Sequence, residues 1–144
     1  MAADFTKLKV KTTVARQDIL FGLARVPKSS RGFVGSSDFN LYDVDLAEEK
    51  PEPKPVGKHG SYVTGVALVG DTVVTGSYDC RLSWWNAKDG KPIRSIDAHS
   101  KRIRSVVASP DGKLVATTSD DMLCKLWDAK TGKLVRELAG HDPF

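Results

Sequence analysis

At 144 residues the chain is long enough to fold as one unit with its own core. Its 22 Lys/Arg exceed its 18 Asp/Glu by four, but the excess is uneven: +5 over 1–31, −3 over 32–58, zero over 59–98 and +2 over 99–144. Basic residues scattered over short segments suit a solvated surface better than a nucleic-acid footprint, no apolar run nears the ~20 residues of a membrane helix, and the Lys-interrupted N-terminus is no secretory signal.

The predicted elements, in chain order, are all short and β-rich, and no stretch reads as a helix. Residues 7–13 alternate polar and apolar and form a first strand. Runs at 19–24, 32–35 and 40–44 follow. The next, 52–56, contains Pro53 and Pro55, which an outermost strand tolerates because one edge is free; 48–55 reads equally as an acidic, Pro-rich loop. A second group of four runs occupies 63–68, 72–76, 81–85 and 92–96. A third occupies 103–108, 113–117, 123–127 and 134–138. Ser109-Pro110-Asp111-Gly112 is a hairpin turn, with Pro fixing φ and Gly taking the left-handed position. Asp89-Gly90 and Thr131-Gly132 turn the chain into the last strand of their groups.

A polar set repeats across these groups. His59, Thr75, Asp79 and Trp85 recur as His99, Thr117, Asp121 and Trp127. The two Trp are 42 residues apart and the two His 40, because a hairpin turn is shorter in the earlier copy. A period of about 40–45 residues with His near the start and Trp near the end signals a β-propeller blade. The expected fold is therefore all-β, with blades of four antiparallel strands a to d, about three of them present, and the ring incomplete. Across 1–144 this gives an extra N-terminal strand at 5–14, a degenerate first blade at 16–56, a second at 57–97 and a third at 98–140. In the first blade Asp38 matches the repeated Asp, Val34 stands at the Thr position, Tyr42 takes the place of Trp, and no His precedes it.

These residues resemble the WD-repeat, β-transducin-like family. The third repeat carries Ser-Pro-Asp-Gly, then Thr-Thr-Ser-Asp-Asp, Lys-Leu-Trp-Asp and Thr-Gly-Lys; the second has Trp85-Asn86 at the signature dipeptide. The resemblance implies a buried chain within each blade: Trp85 donates to Thr75, Thr75 to His59, and Asp79 holds His59. Trp127, Thr117, His99 and Asp121 repeat it. Donor-only indole, two-way hydroxyl and imidazole, and acceptor carboxylate satisfy one another in that order.

His, Asp and a hydroxyl also suggest a hydrolase triad. A set built twice, with a Thr lacking a neighbouring amine and a Trp that has no triad role, speaks for structure instead. His59, His99 and His141 sit at equivalent places on successive blades, so no shared metal is expected, and no cofactor either. Trp84 is expected on the sheet face opposite Trp85, packed on the next blade. Cys80 and Cys124 read as free thiols in a reducing compartment, the cytoplasm.

The resemblance implies no enzyme but a protein-interaction scaffold that binds through its d–a and b–c loops. By position those loops offer Tyr62, Thr64, Tyr78, Arg102, Arg104 and Asp120, and Tyr and Arg are common interface anchors. The alternatives are a nucleic-acid-binding propeller using the basic 101–104 loop, or a non-catalytic module of a larger multidomain enzyme. Three blades are fewer than the four or more a ring needs. The missing blades are expected from the rest of a longer chain, or, as the second choice, from self-association.

Overall fold

The structure, a computed structural model, describes residue 13 and residues 15–140. The strand expected over 5–14 lies outside them, Thr13 apart. Twelve strands and no helix are found among the described residues. They form three sheets, each a four-stranded antiparallel meander in chain order. Sheet one holds β1 Leu20–Arg25, β2 Arg31–Ser36, β3 Asn40–Asp45 and β4 Lys54–Lys58. Sheet two holds β5 Val63–Val69, β6 Thr72–Ser77, β7 Arg81–Asn86 and β8 Pro92–Asp97. Sheet three holds β9 Ile103–Ala108, β10 Leu114–Ser119, β11 Leu123–Asp128 and β12 Leu134–Ala139. The sheets do not close into a ring; they are consecutive blades of an incomplete propeller, as the repeat predicts.

Turn chemistry explains the meanders. Gly90 and Gly132 turn β7 into β8 and β11 into β12 at φ of 70° and 71°. At the β2–β3, β6–β7 and β10–β11 turns the left-handed residue is not glycine but Phe39, Cys80 or Met122, at φ of 76°, 71° and 66°. Such a residue costs on the order of 1 kcal/mol. Each turn offsets that with hydrogen bonds: the serines Ser36, Ser77 and Ser119 accept the N–H of Asp38, Asp79 and Asp121 at 3.2, 3.1 and 3.1 Å.

The sheets pack face to face through two apolar clusters. Phe33, Leu41 and Ala24 of sheet one meet Val63, Val66, Val73, Trp85 and Ala87 of the second unit. Ala67, Val74, Leu82 and Trp84 meet Ile103, Val106, Val115, Trp127 and Ala129 of the third. Trp84 therefore faces the following sheet, as strand alternation requires, and its indole N–H donates to the Ala129 carbonyl at 2.9 Å. Glycines let neighbouring sheets approach. A Cβ on Gly65 would lie 2.6 Å from the Val106 backbone N, and one on Gly35 2.5 Å from the Val63 carbonyl oxygen.

Sheet one departs from expectation twice. Its outer strand is Lys54–Lys58, two residues later than 52–56, so Pro53 precedes the strand and Pro55 alone sits in it. The β3–β4 register slips between Leu41 and Tyr42, the latter opposite Pro55. In addition, Tyr42 does not take the place of Trp. It pairs with Val34 as Ser83 pairs with Thr75 and Lys125 with Thr117. The residue in the Trp register is Val44, opposite Gly32 as Trp85 is opposite Val73.

Candidate interaction face

Two buried networks tie the loops of sheets two and three to their strands. In sheet two the Trp85 indole N–H donates to the Thr75 hydroxyl at 2.7 Å. Thr75 meets His59 Nε2 at 2.8 Å, and His59 Nδ1 donates to Asp79 at 3.0 Å. In sheet three Trp127 reaches Thr117 at 2.9 Å, Thr117 meets His99 Nε2 at 2.7 Å, and His99 Nδ1 donates to Asp121 at 2.8 Å.

The carboxylates also hold the loop backbone. Asp79 accepts the N–H of Gly60 at 2.8 Å and of Arg81 at 2.9 Å; Asp121 accepts those of Ser100 and Leu123, each at 3.1 Å. Burial works to raise the Asp79 pKa, but the His59 ring and the two backbone donors outweigh it and hold it at about 2. Burial pushes His99 below the ordinary imidazole range despite the Asp121 carboxylate beside it. A neutral ring with Nδ1–H on the carboxylate leaves Nε2 free to accept the Thr117 proton. Both threonines are 0% exposed, so their hydroxyls are closed to any substrate.

Sheet one solves the same position differently. Arg16 lies four residues before β1, as His59 lies before β5 and His99 before β9. Its guanidinium bonds Asp18 at 2.6 Å and Asp38 at 3.4 Å and lies 4.0 Å over the Tyr42 ring. The Tyr42 hydroxyl donates to Asp38, whose pKa is held at about 2: burial raises it, and bonds from Tyr42, Asn40 and Ser36 outweigh that. An Arg–Tyr–Asp cluster thus anchors the loop where the other sheets use His, Thr, Trp and Asp. The equivalence of Arg16 rests on the four-residue offset from the observed start of β1 at Leu20; the run expected from 19 hid it.

Above these networks the d–a and b–c loops bring together residues from all three sheets. The Tyr62 and Tyr78 rings lie 5.5 Å apart. Phe21 stacks on Tyr62 at 5.8 Å, and Phe39 tilts against it at 5.8 Å. On the other side Arg102 and Arg104 lie 5.1 and 5.0 Å over the Tyr78 ring. Arg104 also grips Asp120 with two bonds of 2.6 and 3.0 Å and donates to the Tyr78 hydroxyl. A shallow groove runs here, lined by Tyr78, Cys80, Lys101, Arg102 and Asp120.

Of the six residues expected on this face, Tyr62, Tyr78, Arg102, Arg104 and Asp120 are thus contiguous. Thr64 plays another part: its hydroxyl donates at 2.6 Å to the Ile103 carbonyl, stitching β5 to β9. Sequence reasoning missed Phe21 and Phe39. Phe21 occupies the strand position of Thr64 and Arg104, and Phe39 the left-handed position of Cys80 and Met122. Both thiols are free, and no group of three metal-ligating side chains occurs among the described residues.

A family model described as the WD domain, G-beta repeat, matches residues 90–128. Residues 90–128 are thus similar to a WD repeat. The matched WD repeat starts in the turn before β8, ends at Asp128 of β11, and contains the whole His99, Thr117, Asp121, Trp127 network. WD-repeat domains are in general non-catalytic protein-interaction scaffolds. No curated protein matches the chain. No helix among the described residues is long and apolar enough to cross a membrane.

Proposed function

We propose that this WD-repeat segment is a non-catalytic scaffold that binds protein partners through the face formed by its d–a and b–c loops. One observation carries the reading: Tyr62 and Tyr78 of sheet two and Arg102, Arg104 and Asp120 of sheet three form one contact-linked surface. Tyr and Arg are enriched among the few residues that carry most of the binding energy at protein interfaces. The networks beneath it are structural. Each threonine is fully buried, and each histidine is committed at both ring nitrogens.

A nucleic-acid role for the 101–104 loop is weaker than its sequence suggests, because Arg104 is already neutralised by Asp120. The reading is tested with a photo-crosslinking amino acid at Tyr62 and, separately, at Lys130 in the c–d turn of the opposite end. Discrete protein adducts from position 62, competed by excess unlabelled chain, are the expected result. Equal adduct patterns from both positions overturn it.

A further inference from the structure

The three sheets present different chemistry at equivalent loop positions. The second residue of the innermost strand is Phe21, Thr64 or Arg104, and the residue before that strand is Ile19, Tyr62 or Arg102. The residue after the b strand is Ser37, Tyr78 or Asp120. The face therefore grades from apolar over sheet one, through tyrosine over sheet two, to charged over sheet three.

Its acids are all engaged. Asp120 is held by Arg104, Asp79 by His59, Asp121 by His99, and Asp38 by Tyr42 and Arg16. Lys101 and Arg102, in contrast, are exposed and have no carboxylate partner among the described residues. They flank the groove beside Tyr78. Arg102 is presented rather than loose, since its guanidinium rests on the Tyr78 ring. At the other end Phe21 and Tyr62 remain 42% and 40% exposed while stacked on each other, which makes an apolar shelf of aromatic faces.

We propose that the partner segment bound here is acidic and extended, with an apolar side chain seated on Phe21 and Tyr62 and carboxylates meeting Lys101 and Arg102. This rests on the loop-face reading above. The row from Phe21 through Tyr62 and Tyr78 to Arg102 advances in steps of 5.8, 5.5 and 5.1 Å. At ~3.3 Å per extended residue, a peptide of no more than about five residues spans it. The two committed ends fix its direction: apolar residue over sheet one, acidic residues over sheet three. Charge complementarity of this sort sets specificity and association rate, and it weakens with salt.

The test uses the full chain and fluorescein-labelled peptides read by anisotropy. The lead probe has one leucine, three serines and two glutamates; others replace the glutamates with lysines or the leucine with serine. The lead probe should bind, and each replacement should weaken binding about tenfold or more. Tyr62→Ser and Arg102→Ser should each weaken it similarly, Tyr62→Phe should retain it, and Lys130→Ser should leave it unchanged. Circular dichroism confirms that each variant is folded.

If the lysine probe binds as well and Tyr62→Ser abolishes that binding, the partner chemistry is wrong while the loop face stands. If the lead probe binds Tyr62→Ser and Arg102→Ser undiminished, binding is elsewhere and both readings fall. Absence of binding to the lead probe overturns the acidic-segment proposal, as does a mixed-sequence oligonucleotide that displaces the peptide.

Discussion

The Thr117 hydroxyl has one proton and lies between two ring nitrogens, Trp127 Nε1 at 2.9 Å and His99 Nε2 at 2.7 Å. It accepts from the first and gives to the second. Replacing it by the near-isosteric Thr117→Val leaves a buried indole donor and a buried imidazole acceptor unpaired together. The expected loss is about 1–3 kcal/mol, read as a lower urea midpoint with unchanged slope, and Thr117→Ser should recover most of it. Sheet one shows why valine is otherwise acceptable there. Val34 holds the same register, but the residues around it are Val44 and the Arg16–Tyr42 pair, which ask nothing of a hydroxyl. The repeated polar spacing was therefore legible from sequence because a hydrogen-bonded chain fixes both residue types and positions. Arg16 was not legible, since a long guanidinium reaches Asp38 by a route that no His pattern describes.

At the scale of strands, inter-sheet contact is set by glycine. β5 lies so close to β9 that a methyl group on Gly65 would meet Val106 at its backbone N, Cβ and Cγ2, all within 2.9 Å. Gly65→Ala should thus push two backbones apart and cost about 1–3 kcal/mol. An exposed Gly70→Ala cannot serve as its control, because Gly70 has φ of +56°; Ser61→Ala is suitable. Equal melting temperatures for Gly65→Ala and Ser61→Ala would refute the close-packing account. The strands themselves followed from runs of β-branched residues punctuated by turns, and every a, b and c strand of sheets two and three lies within a residue or two of its expected place. The outer strand of sheet one shifted because two prolines and an acidic loop leave its pairing to be decided by tertiary register. The aromatic row was hidden for a similar reason. Phe21 and Tyr62 are 41 positions apart in sequence, and their stacking is a product of sheet-on-sheet packing.

For the whole molecule, the two outer faces are the same surfaces that pack inside it. Leu23 holds the register of Val66 and Val106, which are 7% and 5% exposed, yet Leu23 is 63% exposed. At the far end Val107 holds the register of Ala67, 6% exposed, and is itself 58% exposed. One face type is made to receive the other, so contact between isolated chains should be head to tail. Light scattering should find the wild-type chain larger than a monomer, and Leu23→Asp and Val107→Asp each monomeric. Mixing those two variants should give one-to-one dimers, because each keeps the face that the other lacks; a monomeric wild type would contradict this. The left-handed turns carry a further consequence. The carbonyl of Phe39 in sheet one accepts the N–H of His59 at 2.9 Å, and that of Cys80 in sheet two accepts the N–H of His99 at 3.3 Å. Each histidine completes the network of its own sheet while its backbone is pinned to the sheet before. The matched repeat is therefore not a sheet but an offset span, from one outer strand through the next three, and it leaves out Cys80, the acceptor that pins its own His99. A cut between the third and fourth strands of a sheet keeps both side-chain networks whole but parts each histidine from the carbonyl that pins it, so anyone transplanting a piece of this chain should carry consecutive sheets together.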